Sequence, residues 1–340
     1  GQPRPPGAAL PTEAFTIVVL GDSQYLVDPA FPDGGLMRLT SWIVRSIESH
    51  DIAFVTHVGD VVNDAADDGQ WLRADAALGL LDGTVPYSVA FGNHDYASLH
   101  HVDSSTARFR WFFGPRRYAD AAWYVGSSPD GLSHAQRFVA GGVTFLHVAL
   151  VWEGGDASDP VNGVAWARSV LERFPGVPTI LTTHAYLWDA PGKEGRYPLE
   201  ARSGFRSNGG GEHRLVGWSG EALFEQLVAP FPHVIAVVGG HFHELGHAAG
   251  GQYTQLSSRQ DGVEVLEVLA NFQEYPDGGA DLVRLITFTP SSDPETATVE
   301  VAVSTYAPLR DRTMEEASSR FSWTLDWNAR FPRRSSTPSP

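Results

Sequence analysis

Five short polar motifs carry most of the chemistry in this chain: Gly21-Asp22-Ser23-Gln24, Gly59-Asp60-Val61-Val62-Asn63, Gly92-Asn93-His94-Asp95, an isolated His184, and Gly239-Gly240-His241-Phe242-His243. Asp22 and Asp60 offer carboxylate oxygens, Gln24 and Asn93 amide oxygens, and His184, His241 and His243 imidazole nitrogens. All three donor types bind divalent cations. Seven donors exceed the needs of one ion and suit two ions about 3.5–4 Å apart that share a carboxylate. Nitrogen and oxygen donors without sulfur point to Mn, Fe or Zn over an all-oxygen calcium site. Cysteine is absent, which removes zinc–thiolate sites, disulfides and thiol catalysis.

Each motif directly follows an apolar run that reads as a strand: 16–20, 52–58, 86–91, 178–183 and 233–238. Apolar residues at helical spacing over 37–47, 70–81, 161–174 and 220–228 predict helices, the last capped by Ser219. The resulting β-α-β-α-β order predicts parallel strands with crossover helices. In such sheets the carboxyl ends of the strands form the ligand crevice, so the five motifs can converge there. Runs at 122–126, 136–140 and 143–151 read as close antiparallel strands, the last two joined by Gly141-Gly142. Beyond 238 the chain is nearly all β, with runs at 252–257, 263–270, 282–289 and 298–306. A last half-buried strand shows as alternating Phe321, Trp323, Leu325 and Trp327.

Composition narrows the function classes. The 340 residues are 42% hydrophobic and 19% charged, ordinary for a globular chain with a large core. The net charge of −16 argues against docking on extended nucleic acid or an anionic membrane, which need a basic face. Without a run of 18 apolar residues, no transmembrane segment is expected. Residues 1–14 and 329–340, rich in Pro with Gly or with Arg and Ser, read as disordered tails around one domain over 15–328. A start at Gly1 instead of Met, with the missing cysteines, suggests an exported bacterial-type protein, and a monomer is the expectation.

The motif set, in this order, resembles the calcineurin-like metallophosphoesterase family, whose pattern runs D-x-H, G-D-x-x-[ND], G-N-H-[DE], a lone H and G-H-x-H. The resemblance implies an α/β fold, a two-layered mixed β-sheet sandwich flanked by helices. It implies a first metal held by Asp22, Gln24, Asp60 and His243, and a second by Asp60, Asn93, His184 and His241. A hydroxide between two divalent ions would attack phosphorus in line. His94 would protonate the leaving oxygen or steady its charge, with Asp95 orienting it. Gln24 stands where the pattern has His, as in a GDxQ branch of the family. An amide oxygen is neutral and harder than imidazole, so the first metal should be held differently.

The expected activity is hydrolysis of a small or medium phosphoester, with a phosphodiester preferred over a phosphomonoester. A secreted binding module of the same fold is the rival class, and His94 speaks against it because binding alone needs no proton donor. The segment 186–217 holds seven glycines and four arginines in 32 residues and reads as a functional loop. Within it, Tyr186 and the mid-loop Arg206 are substrate-contact candidates, with Arg196, Arg202 and Arg214 as further phosphate clamps. His57 and His147 lie inside strands and are expected to be structural.

Overall fold

The computed structural model describes residues 8–30, 34–99, 101–190, 193–197, 217–243, 250–279, 281–293 and 296–332. Its strands are β1 (Phe15–Leu20), β2 (Ile52–His57), β3 (Tyr87–Val89), β4 (Tyr124–Ser127), β5 (His134–Ala140), β6 (Val143–Leu150), β7 (Thr179–Thr183), β8 (Leu187–Ala190), β9 (Lys193–Arg196), β10 (Val234–Gly239), β11 (Gln252–Ser258), β12 (Glu264–Ala270), β13 (Val283–Pro290), β14 (Thr298–Ala307), β15 (Arg312–Thr313) and β16 (Arg320–Asp326). One seven-stranded sheet runs β15-β14-β13-β1-β2-β3, with β16 also on β14. The second runs β11-β12-β10-β7-β6-β5-β4, and β8-β9 form a separate hairpin. Strands β1, β2 and β3 are mutually parallel, as are β6, β7, β10 and β12; the other pairings are antiparallel.

The two sheets face each other. Alternate residues of β1 show why all of it but Thr16 is apolar: Ile17 and Val19 point into the core between the sheets, while Val18 and Leu20 point into a second core under helices. A strand covered on both faces has no polar side to show. Leu36, Leu39 and Ile43 of the helix Gly35–Ser46, at helical spacing, cover the first sheet together with the helix Asp68–Leu78. The helix Gly163–Arg173 covers the second sheet, with the turn Gly220–Leu223 that continues as a π-helix to Val228. The Ser219 side chain caps that turn by accepting from Ala222 N at 3.1 Å. At the β5–β6 hairpin both Gly141 and Gly142 have positive φ (53° and 77°), the conformation that a two-residue turn of this hand requires.

A chain of buried polar side chains crosses between the sheets, and its direction can be worked out. His134 Nε2 lies 2.8 Å from the Val89 carbonyl and must donate to it. His134 Nδ1 therefore accepts from Gln136 Nε2. Gln136 Oε1 accepts from His147 Nδ1 at 3.1 Å, and His147 Nε2 accepts the Thr182 hydroxyl at 2.8 Å. Thr182 then accepts from Thr56, and Thr56 from Ser88, each at 2.9 Å. Both imidazoles are neutral in this arrangement. Burial accordingly lowers the His134 pKa to about 4 and that of His147 well below the ordinary value.

Two local readings change. The segment 186–217 opens with the β8–β9 hairpin, so its beginning is ordered structure and not a plain loop. The run 263–270 is not simply part of a β-rich tail: β12 lies parallel to β10, and its carboxyl end reaches the same crevice as the motif-bearing strands.

Candidate metal centre

The strand-to-loop turns bring the motifs together. His184 Nδ1 lies 2.9 Å from the Val58 carbonyl and donates to it, so Nε2 is the nitrogen that takes up either a proton or a metal ion. Around that nitrogen stand Asn93 Oδ1 at 3.0 Å, Asp60 Oδ2 at 3.2 Å and His241 Nδ1 at 3.2 Å. Ligand atoms of Asp60, His184 and His241 all fall within 4.8 Å of one another. Donors about 2.1 Å from one ion and at right angles to each other lie about 3.0 Å apart, so this spacing is that of a coordination shell. Lone pairs gathered this closely in a buried place repel unless a proton or cation stands among them. Burial alone would push the His184 pKa down, but the carboxylates of Asp60 and Asp22 outweigh it and raise it to about 9. Burial likewise disfavours ionised Asp60, yet His184 and His94 hold its carboxyl below the usual range.

The backbone is shaped to this end. Asp60 and His241 both adopt positive φ (52° and 67°), a costly conformation for residues with a Cβ. A Cβ on Gly92 would strike the Asp60 amide and carboxylate, and one on Gly240 would strike the Asp22 carboxylate and Val58. Glycine at these two places permits the close approach of neighbouring loops.

Asp22 sits beside this cluster. Its carboxylate accepts from His241 N at 3.1 and 3.2 Å and from Asn271 Nδ2 at 3.0 Å. Burial is the main force that raises its pKa, to about 7. Gln24 is 2% exposed, and its Oε1 is buried without a hydrogen-bond partner. A buried amide oxygen with no hydrogen-bond partner, two residues from Asp22 in the chain, is suited to a cation. His243 is not part of the tight group: its Nε2 lies 2.6 Å from Gln273 Nε2 and its Nδ1 3.1 Å from Glu274 Oε1. His94 Nδ1 lies 3.0 Å from the Asn63 carbonyl, and its Nε2 is 4.0 Å from Asp60 Oδ2.

Three expectations are corrected. Asp95 does not orient His94; its carboxylate accepts the backbone N–H groups of Val61 and Gly92 at 2.9 and 2.8 Å, and more weakly that of Val62, tying two motif loops together. The partner of His94 is the Asn63 carbonyl. Tyr186 is 1% exposed and donates to Glu267 at 2.8 Å, so it is a core residue and not a substrate contact. Arg196 is bound to the same Glu267 at 3.0 Å and stacked on Phe224, so it does not clamp phosphate. Arg206, Arg202 and Arg214 lie outside the described residues.

Asn271, Gln273 and Glu274 went unnoticed in the sequence. Their signal was a polar cluster directly after an apolar run, as in the five motifs. Glu267, fully buried within that run, breaks its apolar pattern, so the run did not stand out beside the five motif-bearing ones.

No helix among the described residues is long and apolar enough to cross a membrane. The chain is 29% identical over 333 residues to YvnB, an uncharacterised protein of Bacillus subtilis; the match covers 94% of this chain and 22% of YvnB, so the chain spans under a quarter of that relative's length. Its fold is similar to that of the purple acid phosphatase PPD1 from yellow lupin seeds, with a TM-score of 0.56, 16% identity, and coverage of 97% of this chain and 57% of that one. A family model for calcineurin-like phosphoesterases matches residues 15–245, from the start of β1 to just past His243. With well over half of the chain and all five motifs inside that match, the chain belongs to the calcineurin-like phosphoesterase family, whose members are metal-dependent phosphoester hydrolases.

Proposed function

We propose that the chain is a two-metal phosphodiester hydrolase. The observation that carries this reading is the group of donors around His184 Nε2, set at coordination-shell spacing. Asp60, Asn93, His184 and His241 would hold one ion; Asp22, Gln24 and His243 would hold the other, with Asp60 shared. Mn, Fe or Zn suit this donor set. When bound, two such ions neutralise phosphate charge and lower the pKa of water at the site. The protein itself orients the acid: the Asn63 carbonyl fixes His94 through Nδ1, which turns Nε2 toward Asp60 and the crevice. From there a protonated His94 can pass its proton to the leaving oxygen.

The charge around the crevice favours a diester. Tyr25, next to Gln24, feels the carboxylates of Glu274, Asp28 and Asp60. Asp28 also accepts from the Asn63 side chain, close to His94. Arg196, the described arginine of the 186–217 segment, is tied to Glu267. Asp28 and Glu274 are not among the proposed ligands, and a monoester dianion meets more repulsion from these two carboxylates than a diester monoanion does. The test compares kcat/KM for bis(p-nitrophenyl) phosphate and p-nitrophenyl phosphate on the Mn²⁺-loaded protein. Faster turnover of the diester is expected; a preference for the monoester would replace phosphodiesterase by phosphatase.

A further inference from the structure

The loop that follows β12 belongs to none of the five motifs, yet it touches the metal centre at three points. Asn271, fully buried, donates through Nδ2 to Asp22 Oδ2 at 3.0 Å and to the His241 carbonyl at 3.1 Å. Its own Oδ1 accepts from Gln273 N at 3.0 Å, which sets the course of the loop. The Gln273 amide is oriented with Oε1 toward Asn271 Nδ2 and Nε2 toward His243. Glu274 Oε1 stands 3.1 Å from His243 Nδ1, an ion-pair contact outside hydrogen-bond alignment. Both ring nitrogens of His243 are therefore addressed by this one loop.

We propose that Glu274 is a positioning residue of the metal centre: its carboxylate, in ion-pair contact with Nδ1 of His243, keeps the ring proton on that nitrogen and so reserves Nε2 for the first metal ion. The inference rests on the two-metal reading above. A metal-bound imidazole ordinarily donates its other N–H to a carboxylate or carbonyl, which fixes the tautomer and strengthens the ligand. His184 already shows the carbonyl version of this through Val58. Glu274 offers the carboxylate counterpart for His243, at contact distance, on the side of the site where a neutral Gln24 replaces an imidazole. Its negative charge adds attraction for a divalent ion that the amide lacks. Gln273 acts in the opposite sense, since its Nε2–H group points at the same Nε2 lone pair that a metal would use. The two neighbours thus predict opposite effects on one affinity.

The experiment is a Mn²⁺ titration of the metal-free protein, followed by calorimetry and by electron paramagnetic resonance, which separates isolated Mn²⁺ from a coupled pair. Wild type is expected to take two ions and to develop the coupled signal. Glu274→Ala should weaken the first site by about 10–100-fold while the second keeps its affinity, so that one equivalent gives an isolated spectrum and coupling needs excess metal. Glu274→Gln keeps an oxygen acceptor without the charge and should fall between the two. Gln273→Ala should bind the first ion no more weakly than wild type. The Glu274 side chain is 19% exposed, so both substitutions should fold, and thermal unfolding of the metal-free variants checks this. Wild-type affinity at both sites in Glu274→Ala would overturn the proposal, as would a loss in Gln273→Ala equal to that in Glu274→Ala. A wild-type protein that takes fewer than two ions would instead defeat the two-metal reading on which the proposal stands.

Discussion

His94 and Asp95 are adjacent in sequence and different in task. His94 is part-exposed to the crevice and bound through Nδ1 to the Asn63 carbonyl, so removing it should cost activity more than folding. His94→Ala is expected to lower kcat by about 10²–10⁴ on esters with poor leaving groups, with a smaller loss for nitrophenolate, which departs without a proton. Equal losses on both substrates would make His94 a charge stabiliser. Asp95 is buried and accepts three backbone N–H groups. Asp95→Ala should therefore destabilise the metal-free protein by about 2–4 kcal/mol in urea unfolding, because buried donors lose their acceptor. Gln24 makes a third, separate case. Gln24→Ala removes the orphaned Oε1, and the Mn content of purified protein should fall from two ions toward one; an unchanged content would show that the amide does not ligate.

At the level of elements, the site depends on turns more than on strands. Gly92→Ala should force the Asp60 loop away from the Asn93 loop, since the new Cβ has no room beside the Asp60 amide and carboxylate. Metal occupancy should drop in this variant, measured by elemental analysis after gel filtration, although β2 and β3 keep their pairing. The motif-bearing strands were legible in the sequence because they were largely apolar, and the motifs were legible because a polar residue closed each run, after a glycine in every case but His184. Gly141-Gly142 likewise announced its hairpin by residue type alone. What stayed hidden was pairing. Glu267 sits inside β12 and meets Arg196, Tyr186, Gln255 and Ser257 there; a charge satisfied by long-range partners looks like a solvent-facing position when read locally. The Asn271–Glu274 loop was lost with it. The role given to Asp95 failed for a related reason, since its backbone partners lie up to 34 residues away.

The whole molecule joins two sheets across a largely apolar seam with polar crossings, among them buried Arg284 on Gln252 and Thr254 and the chain from Ser88 to the Val89 carbonyl, and that chain predicts a pH dependence. In the folded protein His134 is neutral, with a pKa lowered by burial to about 4; in the unfolded chain it returns to about 6.5. Between these values the unfolded chain binds a proton that the folded one does not. Stability contributed by His134 is therefore complete above about pH 6.5 and is lost progressively as pH falls toward 4, on the order of 3 kcal/mol in all. His147, lowered by burial in the same chain, acts in the same direction. The metal-free site opposes this trend: Asp22 and His184, with pKa values raised to about 7 and 9, make the folded state bind more protons than the unfolded one, so their stabilisation fades as pH rises. A single stability curve would mix the two. The difference between wild type and His134→Gln separates them, because glutamine can still donate to the Val89 carbonyl but does not titrate. Urea unfolding at intervals between pH 4.5 and 6.5 should give a slope of stability against pH that is shallower in the variant by up to about 1.4 kcal/mol per pH unit, one proton's worth. Parallel slopes would mean that His134 takes up its proton without leaving the folded state, and that this polar chain accommodates an imidazolium.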